Sequence, residues 1–281
     1  MKKAITSALV LALMSASGAT YSASLDTTSA APNDDGVLQN FLGIDWHENA
    51  SGWVQGFDLT AASNIGDMDT FTFTYQAFAG SIATSSLYPN LRVGLPGPAV
   101  GGYELTTYQT ITEKATCTAV NCTSISIALV SGTWDVYFDI TPDANTGAGT
   151  GFLDGVKILS GTWDTGFTNF GANAPVGTPG AMGTGGGAFT GTVTMTDNAY
   201  VNPDLLGTDL QASLFFPGIG SYTRSAAFNG VSTGTDTPTN FVLQTDTSQS
   251  FTQVTVPEPS VVAIMGAGLL GVGFARRRRK V

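Results

Sequence analysis

Apolar and polar residues alternate along several stretches of the chain. From Phe71 to Tyr75, aromatic residues alternate with threonines, a period of two that predicts a strand with one apolar and one hydroxyl-bearing face. The alternation from Ile125 to Leu129 resumes out of phase at Trp134, and Gly132 lies where the phase changes, which indicates a β-bulge or bend. Further predicted strands are Phe189–Met195, Leu210–Phe216 and Asn240–Val254.

These strands predict an all-β fold, which we expect to be a single antiparallel β-sandwich of jelly-roll-like form over residues 24–254. The segment from Gly166 to Gly191 is rich in glycine and poor in apolar residues. That composition predicts a long surface loop or an irregular meander within one domain. Residues 1–23 and 255–281 differ in character and are expected to be targeting segments.

One pentapeptide occurs twice. Ser131–Asp135 reads Ser-Gly-Thr-Trp-Asp, and Ser160–Asp164 repeats it unchanged. A single repeat does not predict a solenoid. We interpret the two copies as similar strands of one sheet, each placing a tryptophan in the core; coincidence is the alternative.

The body of the chain is strongly acidic. Only 11% of residues are charged, and seven of the eleven basic residues lie at the two ends. Between Asp26 and Asp246, twenty acidic residues face four basic ones, which leaves sixteen net negative charges. This balance argues against nucleic-acid binding. It is compatible with attraction of divalent cations, or with solubility alone.

Residues 1–23 have the pattern of a signal peptide. Lys2 and Lys3 form a positive n-region, and the apolar stretch from Ala8 to Met14 forms the h-region. Small residues follow, and cleavage is expected between Ala19 and Ala23. A stable N-terminal anchor is disfavoured because the apolar stretch is too short for roughly 30 Å of membrane hydrocarbon.

Residues 255–281 combine a motif, an apolar segment and a cationic cluster. The motif is Val256-Pro257-Glu258-Pro259, whose prolines favour an extended approach to the segment that follows. Val261–Ala275 predicts a short transmembrane helix about 22 Å long. The basic stop consists of Arg276, Arg277, Arg278, Arg279 and Lys280. Cations after a span stay in the cytoplasm, so the body is expected outside it.

Small residues recur at every fourth position of the predicted helix: Ala263, Ala267, Gly271 and Ala275. Such a stripe lets another helix approach closely, and a processing enzyme in the membrane could use it. Alternatively, small residues merely thin a span that is destined for removal.

The order of motif, short apolar helix and arginine cluster resembles the PEP-CTERM sorting signal. The resemblance implies that a membrane enzyme of the exosortase type recognises the tail and cuts near the motif. It also implies a Gram-negative bacterium that makes exopolysaccharide. Two stretches of the body, Phe138–Gly161 and Asn240–Asp246, resemble PEP-CTERM proteins associated with flocculation.

Cys117 and Cys122 are the only cysteines. In a chain that leaves the reducing cytoplasm, a disulfide between them is favoured. So small a ring contributes only about 2 kcal/mol in the chain-entropy model, which indicates that the disulfide pins a hairpin turn. A redox or metal motif is disfavoured because the spacing is not Cys-x-x-Cys.

Calcium is the favoured cofactor hypothesis among the sites considered. Asp143, Asn145 and Asp154 lie in one glycine-rich stretch, and with intervening carbonyls they could supply the hard oxygen ligands that Ca²⁺ prefers. The spacing is not that of an EF-hand. A solvated loop without metal is the alternative.

Candidate catalytic residues are few. His47 is the only histidine, and Gly230–Gly234 matches the Gly-x-Ser-x-Gly elbow without the strand, helix and later histidine that the motif requires. Trp46, beside His47, could stack on a sugar ring. Two acidic pairs, Asp67 with Asp69 and Asp34 with Asp35, could serve glycoside hydrolysis, although aspartates more commonly cap turns.

We therefore expect a non-catalytic protein that is exported, anchored as a precursor at the inner membrane, and then displayed on the cell surface or in the extracellular matrix. Its expected partners are an exosortase and exopolysaccharide or cell-envelope glycan, with a role in cell aggregation and flocculation. A glycan- or calcium-binding module, using the acidic loops and Trp46, Trp53, Trp134 or Trp163, is the second hypothesis. An envelope hydrolase is the third.

Overall fold

The computed structural model describes residues 19–21, 23–93, 102–178, 183–217, 223–252 and 254–256. Its contacts divide the chain into a body, Ser22–Thr252, and a second unit that combines Met1–Tyr21 with Gln253–Val281. In the second unit, Ala19–Tyr21 pairs antiparallel with Val254–Val256. Most of the predicted signal peptide, the motif residues from Pro257 onward, the predicted transmembrane helix and the basic stop lie outside the described residues.

Strands form most of the described chain, so the prediction of an all-β fold is confirmed. In chain order they are β1 (Ala19–Tyr21), β2 (Ala23–Asp26), β3 (Val37–Phe41), β4 (Gly43–Trp46), β5 (Ala50–Gln55), β6 (Met68–Ala83), β7 (Glu104–Cys117), β8 (Ser124–Asp139), β9 (Val156–Ala172), β10 (Gly183–Thr196), β11 (Val201–Asn202), β12 (Asp209–Phe216), β13 (Ala227–Phe228), β14 (Val231–Ser232), β15 (Asn240–Phe251) and β16 (Val254–Val256). Short 3-10 helices occur at Thr28–Ala30 and Val120–Cys122.

The main sheet closes on itself into an eight-stranded barrel. Strands β6, β7, β8, β9, β10, β12 and β15 follow one another around it, and β5 together with β4 fills the eighth position between β6 and β15. Every neighbouring pair is antiparallel. The prediction of a sandwich is therefore wrong. Both folds bury one face of each strand, and alternation along the chain does not distinguish them.

The strands predicted from alternation are confirmed, and their apolar faces form the barrel interior. Phe71, Phe73 and Tyr75 are each at most 5% exposed. The phase change in β8 is a register shift against β7, where Thr112 pairs with Ser131 and Glu113 pairs with Leu129. Val130, the residue that this shift leaves over, lies two positions before Gly132. The bulge keeps apolar side chains inward on both sides of it.

The repeated pentapeptide forms the contact between β8 and β9. Gly132 pairs with Trp163, and Trp134 pairs with Gly161, so each copy places its glycine opposite the other copy's tryptophan. The two indole rings lie 6.2 Å apart between centroids and are at most 5% exposed. The prediction that each copy places a tryptophan in the core is confirmed.

The glycine-rich segment is mainly strand, so its prediction as a long loop is wrong. β9 continues to Ala172 and β10 begins at Gly183. A Cβ atom at Gly166 would overlap the ring of Phe189, and one at Gly187 would overlap the backbone of β9. At these glycines, a ring or the backbone of the paired strand fills the space that a side chain would occupy. The segment therefore contains few apolar residues although it is a strand.

The predicted disulfide joins Cys117, at the end of β7, to Cys122 in the 3-10 turn before β8. It therefore closes the hairpin turn between these two strands. The body has two smaller sheets separate from the barrel: β11, β2 and β3 form one, and β13 pairs with β14 in the other. Phe228 of β13 packs against Trp53 and Val242, which covers the outer face of β5 and β15.

Candidate functional site

The connection from β8 to β9, residues 140–155, folds against the outer face of β6 and β7. Ala144 and Phe152 are buried against Phe78 of β6. The Thr106 hydroxyl of β7 donates a hydrogen bond of 2.9 Å to the carbonyl oxygen of Phe152. The glycine-rich connection that contains Asp143, Asn145 and Asp154 therefore has an irregular backbone but is firmly packed.

Glu104 anchors this connection to the barrel. Its Oε1 atom accepts hydrogen bonds from the backbone N–H groups of Asp143 and Ala144, both at 2.9 Å. Its Oε2 atom lies 2.8 Å from an Arg92 guanidinium nitrogen, and Arg92 also donates to the carbonyl oxygen of Ala144. Burial raises the pKa of Glu104 to about 6, while the two N–H groups and Arg92 oppose that rise.

Glu104, Asp139 and Asp143 form an acidic cluster in which one carboxylate oxygen of each lies within 4.8 Å of the others. Burial raises the pKa of Asp139 and of Asp143, and the negative charge of nearby Asp154 raises both further. Repulsion among carboxylates held this close is what a bound cation relieves. These side chains could therefore hold a divalent metal.

The structure brings together part of the predicted calcium set. Asp143 and Asp154 are electrostatic neighbours, whereas the Oδ1 atom of Asn145 accepts the N–H of Ala148 within its own turn at 3.0 Å. The sequence pattern did not point to Glu104 and Asp139. Both lie at strand ends, at the start of β7 and the end of β8.

The calcium hypothesis stays a prediction with a direct test. We expect Ca²⁺ to release heat on titration and to raise the melting temperature, since a ligand at a hundredfold excess over its Kd stabilises by about 2.7 kcal/mol. Asp143→Asn should abolish both effects. Asp58→Asn, at an exposed position, is the matched control. Absence of heat and of a thermal shift in the unmodified chain would remove calcium from consideration.

A second carboxyl, Glu113 of β7, lies inside the barrel and is 3% exposed. It lines a cavity of about 30 Å³ whose other walls are apolar, among them Phe71, Phe73 and Phe216. Within the described chain no hydrogen bond or cation reaches this carboxyl, and burial alone raises its pKa to about 8. The cavity has room for about two water molecules.

Sequence reasoning did not single out Glu113, although the alternation contains the signal. Glu113 is in phase with Ile111 and Ala115, which both face the interior at 3% exposure or less. A charged residue in phase with the apolar face of a strand is an unusual placement, and the alternation alone is enough to mark this position.

The candidate sugar-stacking tryptophans are not at the surface. Trp46, Trp53, Trp134 and Trp163 are at most 8% exposed, so the prediction that they contact glycan is wrong. His47 is half-buried, with its ring 4.7 Å from that of Phe78 and its Nδ1 atom accepting the N–H of Asn49. Burial lowers the pKa of His47, against the raising effect of Glu48 and Asp246.

The remaining catalytic candidates make structural contacts. Ser232, the central residue of the elbow match, lies in the two-residue strand β14 and accepts the N–H of Gly234; the next element is β15 rather than a helix. In the acidic pairs, Asp34 and Asp67 cap local turns, whereas Asp35 and Asp69 bind residues farther along the chain. Their hydrogen bonds run from Asn64 N–H to Asp67, from Asp58 N–H to Asp69, from Gly36 N–H to Asp34, and from Asn90 N–H and the Tyr103 hydroxyl to Asp35.

Comparison with known proteins identifies the tail alone. Residues 255–280 match the family model described as the PEP-CTERM protein-sorting motif. No curated protein and no solved structure shows detectable similarity to the chain. Within the part of the chain that the structure describes, no helix has the length and apolar character needed to cross a membrane.

Proposed function

We propose that this chain, whose residues 255–280 match the PEP-CTERM sorting motif, is exported and processed by an exosortase-type membrane enzyme. Its barrel is a non-catalytic surface or matrix module that associates with exopolysaccharide and promotes cell aggregation. The observation that carries the proposal is the sorting motif at residues 255–280, which directs the body to the cell surface. Display there brings the body into contact with envelope glycan and with neighbouring cells.

Two acidic side chains of the body take part in structural ion pairs. Asp236 pairs with Arg224 at 2.6 Å, and Asp135 pairs with Lys157 at 2.8 Å. Each pair joins segments of the body to one another. A catalytic acid or base instead needs an accessible position beside a substrate.

Export and anchoring complete the proposal. Residues 1–23 act as a cleaved signal peptide, and Val261–Ala275 holds the precursor in the inner membrane until the exosortase cuts near Pro257-Glu258-Pro259. The basic stop keeps the extreme C-terminus in the cytoplasm. The mature body then resides at the surface or in the matrix of a Gram-negative cell.

We expect the aggregation of a gene-deletion strain to be restored by the full-length chain and not by a chain ending at Thr255. The truncated chain keeps the barrel and lacks the sorting motif, so it should be secreted without surface display. Aggregation is measured by sedimentation, and display by surface labelling of whole cells.

Point variants give a matched comparison. Changing both Pro257 and Pro259 to alanine should behave as the truncation does, whereas Ser260→Ala, just beyond the motif, should behave as the unmodified chain. Equal aggregation and equal display by the full-length and truncated chains would refute the proposal.

A further inference from the structure

A shallow groove crosses the outer face of β10, β12 and β15, on the part of the barrel that β13 and β14 do not cover. Its volume is about 360 Å³, within the range of roughly 300–1,000 Å³ typical of small-molecule sites. We call it the hydroxyl groove. The outward side chains that line it are Ala188, Thr190, Gln211, Ser213, Ser248 and Ser250.

Strand register arranges these side chains in two rows. In the first row, Gln211 pairs with Thr190 on one side and with Ser250 on the other; in the second, Ser213 pairs with Ala188 and with Ser248. Neighbouring strands lie about 4.8 Å apart, and alternate residues along a strand lie about 6.8 Å apart. The floor is therefore about 10 Å across three strands, close to the size of a sugar ring with its substituents.

The floor offers hydrogen bonds in both directions. The hydroxyls of Ser213 and Ser248 lie 2.7 Å apart, and the hydroxyl of Thr190 lies 2.7 Å from that of Thr165. Each hydroxyl has one donor and two acceptor positions, so a bonded pair keeps one donor and several acceptors for a ligand. The exposed Gln211 amide adds a donor and an acceptor. Sugar hydroxyls have the same dual character.

An exposed aromatic ring borders the groove in the next row. Phe215 of β12 is 50% exposed, between the buried Leu214 and Phe216. Its ring leans over Gly186 of β10, where a Cβ atom would lie 3.4 Å from the Phe215 Cδ2 atom. An aromatic ring beside hydrogen-bonding groups can pack against the C–H face of a sugar while hydroxyls bind its edge.

Charge argues against an anionic ligand. The groove lining contains no charged side chain, and β10, β12 and β15 contain no lysine or arginine. Asp209 and Asp246 lie on the strands of the groove, beyond the two rows. A polyanionic polysaccharide would find no cation to pair with and would be repelled by these acids.

We propose that the hydroxyl groove binds a neutral glycan chain, with the Ser, Thr and Gln side chains of the floor contacting sugar hydroxyls and Phe215 packing against a ring face. This inference rests on the proposed surface role and assigns a ligand class and a face to it. Without a carboxylate in its lining the groove does not suit a metal.

Affinity electrophoresis tests the proposal with the full-length chain in mild detergent. The gels contain dextran, hydroxyethylcellulose or galactomannan as neutral polymers, and alginate as the polyanion. We expect retardation by at least one neutral polymer and none by alginate. Ser213→Leu, which fills the floor, and Phe215→Ala, which removes the ring, should each raise the apparent Kd at least tenfold.

Matched controls separate binding from folding. Ser131→Leu makes the same change at an exposed position of β8, and Val231→Ala removes an exposed apolar side chain from β14; both should leave retardation unchanged. Light scattering records the oligomeric state of each variant. The proposal is overturned if no neutral polymer retards the chain, if only alginate does, if Ser213→Leu binds normally, or if Ser213→Leu instead dissociates an oligomer.

Glycan binding by the groove and the surface role of the chain are tested by different outcomes. A chain that binds neutral polymer but does not promote aggregation would contradict the surface role and leave the groove intact. A chain that promotes aggregation normally when it carries Ser213→Leu would retain the surface role and exclude the groove from it.

Discussion

At pH 7, replacing Glu113 by glutamine is expected to raise the free energy of unfolding by about 3 kcal/mol, as follows from linkage between a pKa of about 8 in the folded chain and 4.5 in the unfolded chain. The carboxyl lies in an apolar cavity with no cation beside it. At neutral pH the folded chain keeps this carboxyl protonated, whereas the unfolded chain ionises it freely. The buried carboxyl therefore lowers the free energy of unfolding. Glutamine has a similar shape and removes the titration.

The stability gained by Glu113→Gln is expected to increase with pH. Below pH 4.5 Glu113 is protonated in both states, and the two proteins should have nearly equal stability. Between pH 4.5 and 8 the unfolded state releases the proton while the folded state retains it, so the unmodified chain loses stability as the pH rises. The gain from Glu113→Gln should grow through this window and level off above pH 8.

Urea unfolding at pH 4, 5.5, 7 and 8.5 measures the difference directly. Glu48→Gln is the matched control because Glu48 is exposed outside the barrel, and it should change stability by no more than about 0.5 kcal/mol. A gain from Glu113→Gln that is the same at every pH, or a loss at pH 7, would contradict burial of an unpaired carboxyl.

Gly161→Ala is expected to lower the free energy of unfolding by about 3 kcal/mol, at the upper end for overpacking a core. A Cβ atom at this position would overlap the Trp134 ring and the carbonyl oxygen of Thr192. Neither can move freely, since the indole is fully buried and the carbonyl belongs to the neighbouring strand β10. Thermal and urea unfolding measure the loss.

Alanine substitutions at two other glycines serve as comparisons for Gly161→Ala. At Gly132 a Cβ atom would lie 2.9 Å from Trp163 Cδ1 and 3.2 Å from the Thr110 carbonyl oxygen, so alanine there should be destabilising by a smaller amount. At Gly171, also in β9, a Cβ atom would meet nothing within 4 Å, and alanine should be close to neutral. Equal effects at Gly161 and Gly171 would contradict the reciprocal packing of glycine and tryptophan.

The alternation of polar and apolar residues predicts the strands because it reports which face each strand buries. It does not report what lies opposite that face. The barrel is closed by the pairing of β15 with β5 and β12, contacts between residues about 190 positions apart for β5, and nothing in a single strand encodes them. The loop predicted around Gly166 and Gly187 is wrong for a related reason. The atoms that require glycine at these positions belong to other strands, so the local sequence does not show them.

The candidate site was predictable only in part. Asp143 and Asp154 lie close together along the chain, so a shared loop is visible from the sequence. Glu104 and Asp139 reach the same cluster because β7 and β8 are paired along their length, with these two residues directly opposite each other. The hydroxyl groove is formed by three strands from separate parts of the chain, and its residues attract no attention individually.

Closure of the barrel has a consequence for export. β5 cannot meet β15 until nearly the whole body, through Phe251, has emerged from the membrane, and long-range pairing of this kind is slow. Until then β5 and β12 each present an unpaired edge, which is prone to pairing with other chains. The last strand of the barrel ends six residues before Pro257, so completion of folding and emergence of the processing site are nearly simultaneous events.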